Sequence, residues 1–318
     1  MAARKTSTRG KRTAALNARK SVKKKTVKAS AKAKAVPAKK TAAPAVNRML
    51  KSAAIVPDKP TWYPQPSGPR NRIKPEGWSA PFASSPYNEP PHPMDPARMI
   101  CVEFEPDPEA AWAAVPDPLQ WEPGTTALAC IGDNRQMPTS LKFQEGMVVF
   151  KVRFGDMLGS FIPYIWTSTD EATLAAREVS GRPKLLCDHN ELQIMGSGVT
   201  AAIKRRGETI MRNSVTLEHP AEFKDVPFGG NWLSIRKVQM PEQGKPALKQ
   251  VIQQGLSNSF KVHDVWRGRG FCEFPGQAMS DIWKLKPKPT GRAWMIDVSW
   301  DLRLGKIIWE NWVPAVVE

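Results

Sequence analysis

The chain has 318 residues, with 47 Lys and Arg against 30 Asp and Glu and a formal net charge of +17. Residues 1–52 hold 17 of the basic residues and no acid, so the other 30 are matched by the 30 acids. The positive excess therefore belongs to the N-terminal tail and excludes any reading of a site in the folded part from overall charge. No uninterrupted apolar run approaches the roughly 18 residues of a transmembrane helix, and no membrane span is expected.

The tail, residues 1–52, is rich in Lys, Ala, Ser and Thr and has too few large apolar residues to offset the entropy of ordering it; disorder is expected. Like-charge blocks of this kind bind nucleic acid or another polyanion through counterion release. Lys11-Arg12, followed ten residues later by Lys23-Lys24-Lys25, has bipartite nuclear-import spacing, conditional on a host with a nucleus. A targeting segment and a solvated extension are the other readings, although 12 Lys to 5 Arg is unlike organelle leaders, which favour Arg.

Residues 53–97 contain 12 prolines, punctuated by Trp62, Tyr63, Trp78, Phe82 and Tyr87. Proline lowers the entropy of the free chain and the aromatics give it something to bury. This linker or arm is expected to lie across a domain surface or a neighbouring subunit.

Residues 98–318 suffice for one sizeable core. A short helix is predicted at Pro108–Ala114, with Pro108 and Glu109 at its start. Period-two alternation predicts strands at Val148–Phe154, Thr209–Leu217 and across Trp294, Ile296, Val298 and Trp300. A second helix is predicted from Ser168, which has Glu171 three residues on as a capping box, to Gly181 and Pro183. The balance is a mainly β, antiparallel domain with few helices.

Cys101, Cys130, Cys187 and Cys272 make no CxxC, and the absence of a signal-peptide-like run points to reduced thiols in a cytoplasmic compartment. His92, His189, His219 and His263 lack ligand spacing, so neither metal nor cofactor is expected.

Lys184 follows the Gly181-Arg182-Pro183 turn within AREVSGRPKLLCD. A lone loop lysine is usually a solvated charge. Here, however, Arg177, Glu178, Pro183, Lys184 and Leu186 resemble the signature of the acetoacetate decarboxylase family, in which the first lysine of a pair forms a Schiff base with a ketone. Phe143–Trp166 is similar to the family's glutamate-bearing strand and the strand leading to the lysine. Lys261–Gly268 with Ala278-Met279 resembles its V-H-x-x-W-x-G segment, and Ser79–Tyr87 and Val115–Leu119 more faintly resemble its opening.

The resemblance implies a β-rich, barrel-like domain with few helices, a homo-oligomer, and a lyase that decarboxylates a small oxo acid through an iminium on Lys184. It implies Glu145 as the acid/base or orienting group and Arg98 as the nearest match to the substrate-binding arginine. Two departures matter: Leu185 replaces the second lysine, and Cys130 stands where a second acid is expected. The lysine then depends on burial, by Leu185, Leu186 and neighbouring strands, or on Arg182 turning inward, to favour its neutral form. Three functions follow: a decarboxylase acting on a β-oxo acid; a Schiff-base aldolase or dehydratase acting on a larger oxo acid, favoured by both departures; and a non-catalytic β-barrel binding module tethered to nucleic acid by its tail.

Overall fold

The computed structural model describes residues 77–136, 141–189, 192–228, 230–254, 258–275 and 280–314. The tail, residues 1–52, the proline-rich span before residue 77, and Ala278-Met279 lie outside the described residues. The described residues are built on fourteen strands. In chain order they are β1 (His92–Glu105), β2 (Gln120–Trp121), β3 (Ala127–Gln136), β4 (Leu141–Phe154), β5 (Met157–Thr167), β6 (Lys184–Leu186), β7 (Gln193–Met195), β8 (Gly198–Arg205), β9 (Glu208–Pro220), β10 (Asn231–Val238), β11 (Ala247–Gln254), β12 (Lys261–Glu273), β13 (Lys288–Leu302) and β14 (Lys306–Val313). Helix α1 spans Pro108–Ala113 and α2 spans Asp170–Ala175.

All fourteen strands join one sheet, with the order β14-β11-β10-β5-β4-β3-β1-β13-β12-β9-β8-β7; β2 and β6 attach to β4 and β5. Pairing is antiparallel except at β5–β10 and β5–β6, which are parallel. The fold is thus the expected β-rich one with few helices, but the sheet is mixed and does not close on itself through hydrogen bonds.

Both faces of the central strands are covered. On β1, Ile100, Val102 and Phe104 enter one core, while Ala97, Met99 and Cys101 enter the other. That is why Met99–Phe104 reads as a nearly continuous apolar run instead of an alternating one. Its one carboxylate, Glu103, is 1% exposed and is held by Arg292, Thr126 and Thr290. An unpaired charge could not remain there.

β1 begins at His92, inside the proline-rich span, because Asp95-Pro96 falls in a register shift between Met94 and Ala97 where no ladder bond is required. Asp107 caps α1 by accepting from the Ala110 amide at 3.2 Å. The capping box predicted at Ser168 does not form: Thr169 is the N-cap of α2, without a side-chain bond. The Ser168 hydroxyl instead accepts the Gln144 amide at 2.9 Å and lies 3.1 Å from His189 Nδ1, so it joins α2 to β4. After Ala175 the helix widens into a π-helical turn, Ala176–Ser180, which ends at Gly181 in the left-handed region (φ 68°). A Cβ on Gly181 would lie 2.7 Å from both the Cβ and the amide nitrogen of Arg236, so the turn tolerates only glycine. No helix among the described residues is long and apolar enough to cross a membrane.

Candidate active site

The Gly181 turn delivers the chain into β6, which pairs with the C-terminal end of β5 so that Lys184 stands opposite Ile165. Glu145 stands opposite Thr167 on the other edge of β5. Ile165 and Thr167 are two residues apart and share a face, so Lys184 and Glu145 meet as diagonal neighbours across one strand. Lys184 Nζ and Glu145 Oε2 are in direct contact, with side chains only 7% and 9% exposed. The ammonium also lies over the Phe143 ring, 5.5 Å from its centroid.

Of the groups expected to bury Lys184, a neighbouring strand does so and Leu185 and Leu186 do not. Leu185 and Leu186 are exposed, since β6 is paired on one side only. Burial comes from Phe143 on β4, from Ala175 at the end of α2 and from Ala176 at the start of the π-helical turn, which share a chamber of about 290 Å³ with Lys184. The N-terminal arm covers the same chamber through Ser85–Asn88.

Arg182 is the cation that does turn inward. It lines both the Lys184 chamber and a larger cavity of about 460 Å³ that Glu145 also lines. Burial pushes the Arg182 guanidinium below its usual range, partly opposed by attraction to Glu145. Arg182 Nη2 donates to Gln254 Oε1 at 2.8 Å, Gln254 Nε2 donates to Ser180 Oγ at 2.9 Å, and Ser234 Oγ donates to the Ser180 carbonyl at 2.5 Å. These bonds fix the guanidinium beside the lysine.

Arg98 is not part of this group. It lies on the face of β1 opposite Ala97 and Met99, is exposed, and donates to Asp297 Oδ2 from Nη2 at 2.6 Å and from Nε at 3.1 Å. The motif residues Arg177 and Glu178 turn to different partners. Arg177 Nη1 donates to the Lys184 carbonyl at 3.0 Å, bracing β6. Glu178 accepts from Ser79 Oγ at 2.6 Å and Tyr87 OH at 2.5 Å, so the arm is tied to the π-helical turn over the lysine. Burial and the bond to Glu178 push the Tyr87 phenol up.

Cys130 is fully buried beside Cys101 on the neighbouring strand. Desolvation, with help from the Cys101 thiol, holds its own thiol neutral well above the usual range. It supplies no charge where an acid would have. The Lys261–Gly268 segment forms most of β12 and lines neither cavity. Among the described residues no group of three or more His, Cys, Asp or Glu could hold a metal ion.

Gln254 and the aromatic wall of the larger cavity carried no sequence signal, because segments far apart in the chain supply them. Ser79 and Tyr87 carried one, lying within the stretch that resembles the family's opening.

The sequence model for acetoacetate decarboxylase matches residues 79–311. A search of curated proteins found no match. Among solved structures, one described as structural studies of acetoacetate decarboxylase is similar at TM-score 0.66 and 17% identity, covering 74% of this chain and 96% of that one. An acetoacetate decarboxylase from Legionella pneumophila subsp. pneumophila str. Philadelphia 1 is similar at 0.62 and 18%, covering 72% and 91%. The enduracididine biosynthesis enzyme MppR, complexed with the condensation product of pyruvate and imidazole 4-carboxaldehyde, is similar at 0.62 and 18%, covering 74% and 98%.

Proposed function

The chain belongs to the acetoacetate decarboxylase family, and from that premise we propose that it is a Schiff-base lyase that decarboxylates a β-oxo acid through Lys184. The observation that carries this reading is the buried contact between Lys184 and Glu145, with Arg182 fixed beside it.

An ammonium has no lone pair, and in this reading Glu145 takes its proton. The neutral amine adds to the substrate ketone carbon, and Glu145 gives the proton it took to the departing hydroxyl, so that water leaves and a cationic iminium remains. Arg182, which lines the same chamber, holds the substrate carboxylate before reaction. The bond between the carboxylate carbon and the α-carbon then breaks, its electron pair passing to the iminium nitrogen, so carbon dioxide leaves and an enamine remains. A proton drawn from solvent, passed by Glu145 or by water, adds to the enamine carbon, and water hydrolyses the resulting iminium to release ketone and lysine. The net reaction consumes one β-oxo carboxylate and one proton and yields one ketone and one carbon dioxide.

Borohydride trapping tests the reading. Full-length protein is incubated with acetoacetate and with longer 3-oxo and 2-oxo acids, reduced, and mapped by peptide mass spectrometry. An adduct on Lys184 with the mass of the decarboxylated ketone is expected. Folded protein that yields no adduct with any oxo acid would overturn it.

Aldol or dehydratase chemistry on a larger oxo acid is the second reading. Leu185 and Cys130 favour it, and MppR, complexed with a condensation product, has the same fold. Intact substrate mass on Lys184, without loss of carbon dioxide, would select it. For residues 1–52 we propose a polyanion partner, on the strength of 17 basic and no acidic residues. Salt-sensitive binding to duplex DNA that is lost on deleting residues 1–52 would support this, and unchanged binding would refute it.

A further inference from the structure

Apart from Glu145 and Arg182, the residues that line the larger cavity have no role in the chemistry above, and most of its wall is distinct from that of the lysine chamber. Its volume is about 460 Å³. At roughly 30 Å³ for each water-sized occupant it has room for about fifteen non-hydrogen atoms, about twice the number in acetoacetate. The wall is apolar and aromatic. Phe223 packs with Phe260 and Phe228 at ring-centroid distances of 5.0 and 5.9 Å, and Phe228 with Trp232 at 5.5 Å. Ile162 and Met147 face the same space from β5 and β4.

Polar groups gather at two places. Glu145, Arg182 and Gln254 stand where the cavity borders the lysine chamber; Lys224, Asp301 and Arg303 are at its rim. Arg182 and Leu302 line both spaces. A ligand with its carbonyl and carboxylate beside Lys184 and Arg182 would therefore direct its remaining carbons past Leu302 into an apolar space, where they leave water without stranding a polar group. A four-carbon substrate would leave that space unfilled.

We infer that the larger cavity is a tail subsite, and that the substrate is an oxo acid bearing a hydrophobic chain of on the order of six to ten carbons. The inference rests on the Schiff-base reading for the reacting end and on the aromatic wall for the tail.

The test separates the two. Butyrate, hexanoate and octanoate lack the ketone, so their binding to the full-length protein, followed by calorimetry, reads the tail subsite without the chemistry. Affinity should rise about three- to fourfold per methylene, and octanoate should bind at least tenfold more tightly than butyrate. Ile162→Trp, which fills the cavity, and Trp232→Ala, which opens its wall, should each weaken octanoate more than butyrate; using both guards against one failing to fold. Equal affinity along the series, or octanoate binding unaffected in the folded variants, would overturn the inference. If chain-length dependence is found and no oxo acid is trapped, the Schiff-base reading fails and the subsite stands. Trapping that is indifferent to chain length gives the reverse.

Discussion

Lys184 and Glu145 lie 39 positions apart in sequence and meet as a buried ion pair across β5. With both side chains less than a tenth exposed, neither charge has water to fall back on. Removing one partner costs more than removing both. Lys184→Ala should therefore destabilise the protein by about 3–5 kcal/mol, while Lys184→Met with Glu145→Leu should recover most of the loss. Urea unfolding of the three proteins checks this; equal stability of the single and double variants would mean that the pair is hydrated in solution.

Glu145→Gln keeps the shape of the side chain and removes its capacity to take a proton. The rate of borohydride-trapped adduct formation should fall by at least about a hundredfold, the usual contribution of a positioned acid or base. A fall of less than threefold would assign Glu145 to packing.

Leu185 occupies the position of the missing second lysine, yet its side chain is exposed and points away from the chamber. Leu185→Lys should place the new ammonium in solvent, where its field is screened. Trapping rates should change by less than about threefold, and the pH dependence of trapping should not move. A clear shift of that profile to lower pH would show that the new charge reaches Lys184.

Tyr87 and Ser79 hold the arm to Glu178. Hydrogen bonds to a charged group contribute about 1.5–3 kcal/mol, so Tyr87→Phe should loosen residues 77–91 without unfolding the sheet. Hydrogen exchange should speed up by at least about tenfold in the arm and stay unchanged in β4 and β5.

Burial pushes the Cys187 thiol up to about 12, with Asp188 adding to the shift. A raised thiol value means that the neutral form persists until the pH approaches it. Alkylation by iodoacetamide at Cys187 should therefore keep rising with pH beyond 10, where a free cysteine has already levelled off. A plateau near pH 9 would contradict the buried setting.

Much of the protein was legible in the amino-acid order. Alternation at Val148–Phe154 and Thr209–Leu217 marked strands because a half-buried sheet imposes a period of two, and Pro108 with Glu109 marked α1 because proline and acid suit a helix start. Lys184 and Glu145 stand out only through the resemblance of one motif and one strand to those of the family. Other features were not local. Ser168 reads as a helix cap, but β4 supplies an amide that claims its hydroxyl. Arg98 suits a substrate carboxylate by type; the pleat of β1 instead turns it to the face where Asp297 meets it. Whether Arg182 pointed inward depended on Gln254, 72 residues away, and the width of the apolar cavity on aromatics from the 223–228 segment, β10 and residue 260. Residue type and spacing determine which chemistry is present and which elements form. Which side chains share a cavity is decided by strand pairing and pleat, through contacts between segments that no local pattern joins.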